Sequence, residues 1–231
     1  MLERLIGLLA AGSKEERRLA AEDLLVVAGR DATALTAIRN ALSDPDAHRR
    51  WGAAFVLYRS GDTDDGVFGG ALEALGANDG DVRWAAAEIV VSLALSGTDG
   101  RRRIREVAAD AAAAGRKMAL YCLRDLGESD EDVFVDALTA SDAGIRLAAV
   151  SCLGRISVLS SLGVDALLSA VEEDADAGVR RAATVALRNA TAHEARVRPV
   201  LEQLRARSLD PDLVRAADRA LAGLSAVRDE K

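Results

Sequence analysis

Few side chains in this sequence could do covalent or metal chemistry. The histidines are His48 and His193, and the cysteines are Cys122 and Cys152. The histidines lie 145 residues apart and neither sits in a metal-ligand spacing pattern. No histidine is placed to activate either cysteine, and two cysteines do not make a disulfide framework. The glycine-rich stretches around Gly69 and Gly100 lack the lysine of a phosphate-binding loop. No catalytic residue, metal or cofactor is therefore assigned. Recognition chemistry is better represented. Trp51, Phe55, Tyr58, Trp84 and Tyr121 are five of only seven aromatic residues, and all fall within one third of the chain. Tryptophan, tyrosine and arginine are the residues that dominate binding surfaces. Glu88 stands among these rings, and Arg181, Arg188, Arg215 and Arg219 form a basic group further on.

The elements that carry these side chains follow from an internal repeat. The segments Val82-Arg83-Trp84-Ala85-Ala86, Ile145-Arg146-Leu147-Ala148-Ala149 and Val179-Arg180-Arg181-Ala182-Ala183 share one pattern. Looser copies place the marker at positions 18, 50, 83, 116, 146, 180 and 214. The intervals are 30 to 34 residues, so seven units of about 33 account for the chain. In five units an aspartate stands three positions before the place of the β-branched residue, which Arg49 and Leu213 fill in two of them: Asp46, Asp79, Asp142, Asp176 and Asp210. Aspartate there can cap the following helix and favour its N-terminal dipole. Between markers lies a second helical stripe, seen where Val67-Phe68 recurs as Val133-Phe134. Each unit is predicted to be helix A, turn, helix B. The A helices are expected near 2–11, 32–42, 65–76, 99–113, 131–140, 161–173 and 193–207. The B helices are expected near 15–28, 47–59, 81–95, 115–126, 144–156, 178–190 and 212–226.

This Asp-x-x-(Val/Ile)-Arg-x-Ala-Ala pattern resembles HEAT repeats, in particular the short form of phycocyanobilin lyases. The resemblance covers essentially all 231 residues. It implies an all-α fold: a right-handed α-α superhelix, a HEAT/armadillo-like α-solenoid of about seven two-helix repeats. Residues 1–231 would be a single solenoid domain. It also implies a ladder between the Asp and Arg of successive units. Members of such families mostly bind other proteins, and a few are enzymes.

Count the B helix from its β-branched position as zero. Positions 0, 3, 4, 7, 8 and 11 are apolar in most units and so are expected to face the core. Positions 2, 6 and 9 share another stripe, which in a solenoid of this type lines the concave surface. Trp51, Phe55, Tyr58, Trp84, Glu88 and Tyr121 fall on it, as do Arg181, Arg188, Arg215 and Arg219 near the C-terminal end.

Composition agrees with many close-packed helices. There are 47 alanines, three prolines and 3% aromatic residues. Alanine is the best helix former, whereas β-sheets favour β-branched and aromatic residues. The net charge of −7 argues against nucleic acid. The longest uncharged run, Ile89–Thr98, has ten residues, too short for a membrane span, which needs about 20. The first residues lack a basic n-region, so no signal peptide is expected and the default location is cytoplasmic. The expected function is a noncatalytic scaffold that binds a protein or peptide segment on its concave face. The alternative is a lyase or chaperone-like subunit handling a tetrapyrrole or another aromatic ligand. Oligomeric state does not follow from the sequence.

Overall fold

The computed structural model describes residues 1–11, 13–97, 99–110, 112 and 114–226. Among them every regular element is helical, and the fold is an all-α HEAT/armadillo-like solenoid of seven helix pairs. The pairs are α1 (Leu2–Ala11) with α2 (Lys14–Ala28), α3 (Ala32–Asn40) with α4 (Ala47–Arg59), and α5 (Asp65–Ala74) with α6 (Gly80–Ser96). Next come α7 (Gly100–Ala109) with α8 (Arg116–Asp125) and α9 (Asp132–Ala137) with α10 (Ala143–Leu153). The last are α11 (Ser161–Glu173) with α12 (Ala177–Ala186) and α13 (Glu194–Arg207) with α14 (Pro211–Ala226). The described residues of Met1–Val107 and Ala112–Cys122 form one compact unit. Those of Ala108–Ala111 and Leu123–Lys231 form the second. In the first, α1 packs on α2 and α4, and α5 packs between α4 and α6. In the second, α12 packs on α10, α11 and α14.

All five repeated aspartates cap the B helix that follows. Asp46 accepts hydrogen bonds from the amides of His48 and Arg49, Asp79 from Asp81, Asp142 from Ile145, and Asp176 from Val179. Asp210 accepts from the amides of Asp212 and Leu213. These amides begin helices and lack intrahelical partners.

The repeated arginine has an equally regular task. It reaches back over the turn to the carbonyls six and five residues before it. Arg50 Nη1 donates to the oxygens of Asp44 and Pro45 at 2.6 and 2.8 Å. Arg83 does the same to Ala77 and Asn78 at 2.7 and 2.9 Å. Arg146 meets Ala140 and Ser141, both at 2.9 Å, and Arg180 meets Asp174 and Ala175 at 2.6 and 3.1 Å. A cation beside carbonyls at a helix C-terminus satisfies orphan acceptors and the dipole together.

The free edge of the guanidinium then grips the next pair. Arg146 donates to both oxygens of Asp174 at 2.8 Å, and Arg50 Nε donates to Glu73 at 2.8 Å. Arg146 holds the Asp174 carboxyl below the usual carboxylate range. The expected ladder between the Asp and Arg of successive units is thus present at Arg146 and Asp174, through an aspartate other than the helix cap. Cap aspartates accept from backbone amides, and Arg50 and Arg146 turn to acids at the end of the next A helix. Arg181, one residue past the marker, does approach the capping Asp210, at 3.6 Å.

Small side chains set the helix spacing. Ala53, Ala54, Ala148, Ala149 and Ala183 are fully buried, while Phe68 and Phe134 fill the core from α5 and α9. A Cβ on Gly70 would stand 2.9 Å from that of Ala54, so α4 and α5 require glycine at this approach. Two-unit symmetry extends to Gly61 and Gly127, whose φ values of +89° and +69° end the turns after α4 and α8.

Three expectations need correction. The helix expected over 99–113 ends at Ala109, and positions 111 and 113 of that expectation lie outside the described residues. A Cβ on Gly115 would lie 3.1 Å from Leu75 Cβ. The expected 131–140 helix contracts to Asp132–Ala137, with Leu138 as its C-cap. Ala182 is half-buried rather than in the core, while its counterpart Ala148 is sealed. Ala148→Leu is therefore expected to destabilise by about 1–3 kcal/mol through overpacking. Thermal unfolding checks this, and an unchanged midpoint contradicts the register.

Candidate functional site

The B helices α2, α4, α6 and α8 of the first unit present positions 2, 6 and 9 outward. Their amphipathic spacing leaves this stripe after the core positions are used. Leu19 and Val26 on α2 are 46% and 53% exposed, and Trp84 on α6 is 55% exposed. Trp51, Phe55, Tyr58 and Tyr121 are half-buried, and Glu88 is exposed.

The rings are organised in two groups. Trp51 and Phe55, one turn apart on α4, meet with centroids 5.7 Å apart and planes tilted by 52°. The Arg59 guanidinium stands 5.8 Å above the Phe55 ring. Trp84 and Tyr121 stack almost parallel, at 9° and 6.1 Å. Tyr58 is partly a structural brace, since its hydroxyl donates to Ser92 Oγ at 2.9 Å and joins α4 to α6.

Trp51 stands between two cavities. One, of about 370 Å³, is walled by Leu9, Ala21, Trp51, Phe55, Val82 and Ala85. The other, of about 600 Å³, lies towards α5 and is walled by Trp51, Leu72, Val82 and Val107. Arg17 and His48 line both. An ion pair from Lys14 on α2 to Asp81 on α6 crosses the smaller one. Concave, mostly apolar walls with a few polar groups at the rim are what a bound side chain or small ligand needs.

The basic group of the second unit is weaker as a site. Arg181 is held near Asp210, and Arg215 pairs with Asp212. Arg188 and Arg219 are exposed, and the Arg188 stem lies against Gly223.

No group of three His, Cys, Asp or Glu able to hold a metal occurs among the described residues. His193 forms the N-cap of α13 and is half-buried, not exposed as its position suggests. Cys122 and Cys152 are free and buried, and burial pushes the Cys152 thiol up to about 12. A thiol so placed is a poor nucleophile. Sequence reasoning missed Glu131, which accepts from the Ser160 amide at 2.8 Å and its hydroxyl at 2.6 Å. The signal was Gly163, where any Cβ would meet the Glu131 carboxylate. Leu19 and Val26 were legible at positions 2 and 9 but carry no aromatic ring to draw attention.

Trp84 should dominate collisional quenching of tryptophan fluorescence. Trp84→Phe is expected to lower the acrylamide quenching slope more than Trp51→Phe does. The reverse order contradicts the arrangement.

No protein-family model matches the chain, and no curated protein is similar enough to count as a relative. Solved structures do match. The Escherichia coli protein YibA is 20% identical with a TM-score of 0.63, over 94% of this chain and 81% of that one. An archaeal HEAT-like repeats protein from Thermococcus onnurineus NA1 is 14% identical with a TM-score of 0.57, over 98% of each chain. No described helix is long and apolar enough to cross a membrane. At this level of identity the likeness speaks for architecture: the chain has a HEAT-like repeat fold.

Proposed function

We propose that this protein is a noncatalytic scaffold that holds a segment of a partner protein on the outward face of α2, α4, α6 and α8. The regular marker spacing supports treating 1–231 as one repeat domain that presents this face. The observation that carries the reading is the placement of Trp84, 55% exposed, in one row with Leu19, Val26 and Trp51. Single exposed apolar residues are ordinary, but a contiguous apolar row with cavities beside it marks an interaction surface. Rigid rings lose little conformational entropy on binding, so they suit such a row. Arg17, His48, Lys14 and Asp81 at its edge supply a polar rim.

Capture from a cell lysate on immobilised protein, read by mass spectrometry, tests this when run beside Trp51→Ala/Trp84→Ala. Proteins retained by the wild type should be lost from the double variant while its circular dichroism stays helical. Equal retention by both would place binding elsewhere on the molecule.

A further inference from the structure

The smaller cavity beside Trp51 is opened by small side chains. Ala21 on α2, Gly52 on α4 and Ala85 on α6 leave space next to Trp51, Phe55 and Val82. Leu9 presses on Gly52, where a Cβ would stand 2.7 Å from Leu9 Cδ1. The volume, about 370 Å³, lies in the range of small-ligand sites.

The charges that line this cavity are nearly all committed. Lys14 pairs with Asp81, and Arg18 with Glu22 at 3.1 Å. Asp79 caps α6 and accepts from the Asp81 amide at 2.9 Å, so its charge meets the positive end of that helix's dipole. His48 turns Nδ1 towards Asp46 at 3.8 Å. Arg17 is left over. It is half-buried, lines the cavities on both sides of Trp51, and its side chain has no hydrogen bond or ion pair among the described residues. The other charges of the row, Asp23, Arg59, Glu88 and Lys117, are exposed and do not line this cavity. The cavity therefore joins apolar walls to one unspent cation.

We propose that this cavity binds a small monocarboxylate with an apolar body. The body fills the space between Ala21, Gly52 and Ala85 against Trp51, and the carboxylate pairs with Arg17. A planar guanidinium offers two parallel donors that match the two oxygens of a carboxylate. Burying the apolar body supplies the rest of the affinity. A neutral ligand of the same shape would cover Arg17 without pairing it, which carries a desolvation cost. A cationic one would meet acids already taken by Lys14 and by the start of α6. The ligand occupies the cavity rather than the outward row, so it goes beyond the scaffold reading and stands or falls separately.

Isothermal titration calorimetry, read beside tryptophan fluorescence, tests the proposal with decanoate and naphthoate as probes. Saturable binding of either acid supports it, and which one binds tells an acyl body from a ring. The alcohol and amine counterparts keep the body and change the head. They should bind at least about tenfold more weakly than the acid. Arg17→Gln should weaken the acid at least about tenfold, whereas Arg30→Gln removes the same charge outside the cavity and should leave binding unchanged. Ala85→Leu grows into the cavity and should abolish binding; if it fails to fold by circular dichroism, Arg17→Gln still decides. The fluorescence change should persist in Trp84→Phe and vanish in Trp51→Phe. Binding of neither acid, equal binding of an alcohol or amine, equal effects of Arg17→Gln and Arg30→Gln, or a signal that resides in Trp84 overturns the proposal. In each of those cases partner capture through Trp51 and Trp84 remains the separate test of the scaffold reading.

Discussion

The arginine that reaches back over the inter-helix turn in four of the seven pairs is the interaction on which the rest depends. One guanidinium satisfies two carbonyls of the turn in four repeats, and in Arg50 and Arg146 it also grips an acid of the next pair. Arginine suits this because its planar fork offers several donors in fixed directions, which lysine cannot match. At Arg146 and Asp174 the pair is nearly closed to solvent, with side chains 14% and 7% exposed. Breaking such a pair leaves a buried charge uncompensated. The aspartate cap works on the same turn from the other side, defining where the B helix begins.

The turns are held by backbone-directed bonds that do not involve the outward face of the B helices. Alanines at positions 3 and 4 let the helices approach, and positions 2, 6 and 9 stay half-buried or exposed. This explains how a chain so poor in aromatic residues can leave Trp84 largely exposed and Trp51 standing between two cavities. The stability of the fold and the chemistry of the surface are thus carried by different residues. Tyr58 is the exception, since it does both.

Much of this was legible in the sequence, because the repeat is local. Marker spacing located fourteen helices, and the aspartates three residues before the β-branched positions cap as their type and place require. What was not legible depends on distant approach. The close approach of Gly115 to Leu75 and Gly76, which leaves no room for a Cβ, joins residues some 40 positions apart and has no local signature. Trp51 and Trp84 share one position in the repeat but differ in burial, since burial depends on how far the neighbouring helices stand apart. Which acid each arginine would choose also lay beyond the pattern, because Glu73 and Asp174 come from the following pair.

The central claim is that the outward row of α2, α4, α6 and α8 is the working surface. Hydrogen exchange read by mass spectrometry, on the protein with and without a captured partner, addresses it most directly. Slowed exchange concentrated at 19–26, 51–58, 84–91 and 117–121 is the predicted result. Protection confined to the A helices, or to the second unit, would contradict it.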